Sequence, residues 1–226
     1  MKPNNNYLFF IIFFFLVAIE TTVANLDGLT WLHYIFKPLI VISLIIYFTK
    51  HNKHLSIYTQ KFTFFALTFS LIGDILLLFV NRSQLFFIGG LIAFLIAHIL
   101  YSLVFFNKRN KNTKWYGFVA IILIYTILLF SYLKTGIGHL LIPVIIYMLV
   151  ILTMVTSAFL RKGMVNTNSF NLVFIGALIF IASDSLLALN KFYAPLSIAN
   201  FGIMFTYALA QLLIVLGLLK QQDFKV

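Results

Sequence analysis

The sequence predicts an all-α fold, a polytopic membrane bundle of eight transmembrane helices forming a single integral-membrane domain over residues 1–226. Three observations predict it. Hydrophobic residues make up 62% of the chain and charged residues 9%, against about 25% charged in an average soluble domain. The apolar residues fall into runs of about 20, the length a helix needs to cross a bilayer core. The basic residues sit in short clusters between those runs, as in loops that lie against anionic headgroups. A water-soluble globule is thereby excluded. Disorder is excluded too, because 27 Phe and 11 Tyr give ample apolar surface to offset ordering entropy. The net charge of +11 is not gathered on one face, so no nucleic-acid partner is expected. With no cysteine there is no disulfide framework, thiolate metal site or cysteine nucleophile.

The runs lie at about 7–24, 32–49, 61–80, 85–106, 115–133, 140–160, 170–189 and 196–219, leaving no room for a soluble domain. The first is read as a retained helix rather than a signal peptide. Its positive region is Lys2 alone, Glu20 follows the apolar stretch, and Thr22-Val23-Ala24 imitates a cleavage site only loosely. The second carries Lys37-Pro38, where the lysine either snorkels to the interface or reaches inward to a carboxylate or a lipid phosphate. The third contains Ser70-Leu71-Ile72-Gly73-Asp74. The fourth sets Gly90, Phe94, His98 and Tyr101 on one face; His98 is either a packing residue or part of a site. The sixth places Tyr147, Met154 and Ala158 on one face, read as packing, and the seventh holds Ser183-Asp184-Ser185. The eighth turns Asn200, Met204, Tyr207 and Gln211 toward the bundle, read as structural glue.

A 4+4 parallel internal repeat is legible when the halves are superposed, pairing Pro38 with Pro143, Asp74 with Asp184 and His98 with Gln211. With both termini cytoplasmic, 12 basic residues fall inside and Arg82, Lys134 and Lys191 outside, which favours that orientation by the positive-inside rule. The inside group includes Arg161, Lys162 and Lys225. The Phe-, Ile-, Lys-, Asn- and Tyr-rich composition points to a bacterial cytoplasmic membrane.

An ionised carboxylate at membrane depth costs at least about 2.5 kcal/mol, so Asp74 and Asp184 mark a candidate site. Parallel third and seventh spans put them at one depth. Two carboxylates sharing a dry cavity divide into a protonated acid and an ionised base. The alternatives are interhelical ion pairs with Lys37 or Lys191, and a proton-coupled transporter or lipid flippase using the same acids. Nucleotide-binding, gluzincin and serine-hydrolase motifs are absent, and neither a metal nor a cofactor is expected.

Lys37-Pro38-Leu39, Ser70 to Leu77, Phe87-Ile88-Gly89-Gly90 through Phe94, His98 and Tyr101, Tyr147 to Met154, and Ser183-Asp184-Ser185-Leu186-Leu187 with Asn190 together resemble the YhhN family of eight-span membrane proteins. The resemblance covers nearly the whole chain. Animal members are lysoplasmalogenases, so it implies a membrane-bound ether hydrolase that takes a lysophospholipid substrate from membrane lipid. The products would be a fatty aldehyde and glycerophosphoethanolamine or glycerophosphocholine. Asp74 and Asp184 then become the catalytic pair, with His98, Tyr101, Lys37, Ser183 and Asn190 positioning substrate, water or the acids. The resemblance leaves the oligomeric state open.

Overall fold

The computed structural model describes residues 5–23, 30–196 and 199–222; Lys2, Ala24 and Lys225 lie outside them. The helices are α1 (Asn5–Val23), α2 (Thr30–His51), α3 (Ile57–Leu77), α4 (Gln84–Phe106), α5 (Tyr116–Ile137), α6 (Leu141–Phe159), α7 (Thr167–Phe192) and α8 (Ala199–Leu219). Among the described residues there is no strand beyond an isolated bridge between Lys162 and Val165.

The expectation of eight spans is corrected to seven segments long and apolar enough to cross a membrane. The difference lies at Tyr116–Phe159, one apolar helical stretch of 44 residues that holds both α5 and α6. A single 3-10 turn, Gly138–Leu140, joins them, with Gly138 at φ 56°. That left-handed angle suits glycine, which has no Cβ to clash. Helix continues through Lys134, Thr135 and His139, the polar residues that divide the two apolar runs in sequence, so no loop interrupts the stretch.

Local chemistry sets the other boundaries. The Ser56 hydroxyl accepts the Thr59 amide, capping α3 four residues earlier than its apolar run begins. Ser83 caps α4 by accepting the Leu85 amide. Lipid tails are as apolar as leucine, so helices in a membrane associate through close contact at small residues. The α7–α8 pair shows this: a Cβ on Gly217 would lie 2.8 Å from the Val173 amide nitrogen. Gly217→Ala therefore forces backbone apart, and is expected to cost about 1–3 kcal/mol and lower the thermal midpoint in detergent. Gly117→Ala, which meets open space, is the control that leaves the midpoint unchanged.

The core runs through the centre of the bundle, with Leu44, Phe48, Leu67, Tyr101, Phe105, Phe180 and Ile214 fully buried. By contrast α5 buries only Ile122, Leu133 and Ile137, and exposes Ile121, Ile124, Ile127 and Leu128, a surface suited to lipid. Arg161, counted from sequence among loop charges, is fully buried. It donates to Ser169 Oγ and Gln221 Oε1 and lies over the Phe105 ring, so it ties α6, α7 and the end of α8 together.

Candidate active site

Each intramembrane aspartate is held by a tyrosine from another helix. Asp184 in α7 accepts a hydrogen bond of 2.7 Å from the Tyr147 hydroxyl of α6. Asp74 in α3 accepts one of 2.8 Å from the Tyr207 hydroxyl of α8. In a medium without water a carboxylate and a phenol each need such a partner, and here each satisfies the other. Phe180 stands between the two pairs, edge-on to the His98 ring at 4.7 Å and to the Tyr207 ring at 5.6 Å.

The two acids differ in what they face. Asp184 lines an apolar cleft between α4, α5, α6 and α7. Tyr125, Tyr147, Phe94 and Ile151 form part of its wall, and 16% of the Asp184 side chain is accessible. Asp74 is 1% exposed and does not line the cleft. Phe94 separates them. Its ring presses on Gly73, where a Cβ would lie 2.6 Å from it, packs edge-on against Tyr207, and turns its other side to the cleft. Gly73 thus lets the Phe94 ring pack closely on α3 next to Asp74 in sequence.

His98 is fully buried beside this site. Its Nε2 lies 3.8 Å from Asp184 Oδ2, beyond hydrogen-bond range, and neither ring nitrogen has a hydrogen-bond partner. Tyr101 points elsewhere, donating to Gln211 Oε1 at 2.7 Å, while Gln211 Nε2 donates to Ser70 Oγ at 2.9 Å. It reaches Asp74 only through this network, since Gln211 also approaches the Tyr207 hydroxyl at 3.5 Å. Ser183 and Asn190 serve the backbone: Ser183 donates to the Ile203 carbonyl, and Asn190 accepts the Leu196 amide.

Among the described residues no lysine forms an ion pair with either aspartate. Lys37 is buried at 9% exposure and acts on Asp74 only through its field, as Glu20 does. Lys191 lies over the Phe87 ring, 4.9 Å from its centroid. Glu20 is fully buried and pairs with His33. The interhelical ion pairs considered from sequence are thus replaced by tyrosine–carboxylate bonds.

Sequence reading treated Tyr147 as packing and Tyr207 as glue. The signal for both was a phenol deep in an apolar helix, which must find a polar neighbour. Which acid each would reach depends on how the helices are rotated against one another. Tyr125, which donates to Ser185 beside Asp184, carried no signal beyond that.

Comparison with known proteins adds three findings. A profile of the YhhN family matches residues 32–218. The chain is 31% identical over 160 residues to the Homo sapiens protein named lysoplasmalogenase TMEM86B, a match covering 69% of this chain and 62% of that protein, so the chain spans about three fifths of its relative's length. No solved structure matches.

Proposed function

The chain belongs to the YhhN family, and from that premise we propose that it is an integral multi-pass membrane hydrolase that cleaves the vinyl-ether bond of lysoplasmalogens. The observation that carries the reading is a tyrosine-held carboxylate, Asp184, facing an apolar cleft within the bundle. The human relative's name supports the reaction class.

A vinyl ether is cleaved by protonation at its outer carbon, which moves the double-bond electrons and leaves an oxocarbenium ion. Water adds to that ion and loses a proton, giving a hemiacetal. Collapse breaks the carbon–oxygen bond to release an aldehyde and the free glycerol hydroxyl. One water is consumed and the catalytic proton is returned. The reaction asks for an acid at the alkenyl carbon, a negative charge near the cation, and a base for water. Asp184 delivers the proton and, once ionised, receives one from the water. Tyr147 holds its carboxyl toward the cleft. Asp74 supplies a second carboxylate behind Phe94, aligned by Tyr207, whose field stabilises the cation in a low-dielectric interior. His98 positions the Asp184 side of the site. The cleft holds the hydrocarbon chain.

The test is purified protein in neutral detergent, incubated with alkenyl-, alkyl- and acyl-lysophospholipids, with aldehyde and fatty acid followed by mass spectrometry. Aldehyde from the alkenyl lipid alone is expected. Fatty acid from the acyl lipid would replace the reading with an ester hydrolase, and unchanged lipid crossing sealed vesicles would replace it with transport.

The distribution of 12 basic residues against three supports cytoplasmic termini in a bacterial inner membrane, with both aspartates nearer the outer leaflet. Because the chain has no cysteine, Arg82→Cys provides a unique label. An impermeant thiol reagent is expected to modify it in intact cells; labelling only after membrane disruption would reverse the orientation.

A further inference from the structure

The apolar cleft beside Asp184 shares part of its wall with another cavity. Leu77, Phe87 and Leu187 line it and also line a second, half-polar cavity at one end of the bundle. That vestibule is bounded by His33 and Lys37 of α2, Asn81 of the α3–α4 turn, Asn190 and Lys191 of α7, and the start of α8. Among the described residues that line it are two lysines and no carboxylate.

Lys37 is the informative residue. It is buried, yet among the described residues its ammonium makes no hydrogen bond and no ion pair within 4.0 Å. An ammonium that lines a cavity at membrane depth and makes no direct ion pair is placed to receive an anion. Lys191 approaches the same space from α7. It lies seven residues after Asp184, two helical turns or about 10.5 Å along the axis, and on the same face. Helical side chains lean toward the N-terminus, so its chain folds back toward Asp184, and its ammonium lies over Phe87, the ring that lines both cavities.

We propose that the Lys37–Lys191 vestibule is an anion site for the phosphate of a single-chain glycerophospholipid whose hydrocarbon lies in the apolar cleft. The site sets which bond reaches Asp184. The glycerol unit joins the ether oxygen to the phosphate and spans less than the two-turn separation, and the Lys191 side chain covers the remainder. Such a lipid keeps its leaflet orientation, headgroup at the bundle end and chain toward the midplane. Asn81 and Asn190 border the phosphate without adding charge. This inference rests on the lysophospholipid reading of the cleft and adds to it the group that discriminates a phospholipid from a neutral ether lipid.

Binding to an uncleavable ligand tests it separately from turnover. Affinities of the purified full-length protein in neutral detergent would be measured for 1-O-hexadecyl-glycerophosphoethanolamine, for 1-O-hexadecylglycerol and for inorganic phosphate. The phospholipid is expected to bind at least about tenfold more tightly than the alkylglycerol, the margin of a charge-assisted contact. Lys37→Gln and Lys191→Gln are each expected to remove most of that margin while leaving alkylglycerol affinity unchanged. Lys191 is exposed, so its variant folds even if the buried Lys37 variant does not. Arg82→Gln, a cation at the same end stacked on Phe79 and outside the vestibule, keeps the margin. Equal affinity for phospholipid and alkylglycerol, or an unchanged margin in Lys191→Gln, overturns the site. Phosphate binding as tightly as the phospholipid overturns the lipid as its source. Binding with the expected margin but no aldehyde from alkenyl lipid would defeat the hydrolase reading and leave the anion site standing, whereas aldehyde without a margin would do the reverse.

Discussion

Asp184→Asn is expected to lower kcat for an alkenyl-lysophospholipid by about a thousandfold, within the range over which a positioned general acid contributes, while the thermal midpoint in detergent stays near that of the wild type. The two halves of the expectation have separate reasons. Asparagine has the shape of aspartate, and its carbonyl oxygen still accepts the Tyr147 hydroxyl that holds Asp184 at 2.7 Å, so α6 and α7 remain joined. What is lost is a carboxyl that gives a proton to carbon and takes one back from water. Because Asp184 lines the cleft, no other acid takes its place. Near-normal turnover by a folded Asp184→Asn preparation would sink the proposed mechanism.

Asp74→Asn is expected to reduce kcat by about a hundredfold with little change in KM. Asp74 is 1% exposed and does not line the cleft, so it does not meet substrate and contributes through its charge. The Tyr207 hydroxyl still finds an acceptor in asparagine, and the α3–α8 contact persists. A purely structural Asp74 would give the opposite result, a lower thermal midpoint with turnover preserved. Tyr207→Phe separates the two further: it leaves the negative charge in place but unaligned, and a loss of about tenfold is expected. Direct measurement of kcat, KM and thermal midpoint on the same preparations decides between these outcomes.

Much of the fold was legible because membrane insertion is a local problem. A run of apolar residues is compared with a fixed bilayer thickness, so the positions of α1 to α4, α7 and α8 follow from hydropathy to within a few residues. Tyr116–Phe159 was the exception in span counting, since Lys134, Thr135 and His139 divide the apolar runs while the helix passes through them with only a 3-10 turn. The site was legible in part for a related reason. Asp74 and Asp184 stand out in any reading that assigns a cost to charge in lipid. Tyr147 and Tyr207 did not, because in sequence a tyrosine in a spanning helix looks the same whether it packs or holds an acid.

Arg161 shows the limit from the other direction. Its position at the end of α6 matches a loop charge in every sequence feature, yet it is fully buried among Ser169, Gln221 and Phe105. Its burial depends on α8 ending beside α6, a contact between residues 60 positions apart.

By itself, the sequence determined that this chain is an all-α membrane protein of the YhhN family with Asp74 and Asp184 inside its spans. Those properties rest on composition, run length and short motifs, each read within a few tens of residues. The tertiary structure decided which acid faces the cleft, which phenol holds each one, and that Lys37 and Lys191 share a vestibule. Such outcomes depend on how each helix is rotated about its axis, and rotation is set by close approaches between helices at Gly73, Gly217 and Phe94. No single helix carries that information, because each contact needs the surface of a partner far away in the chain.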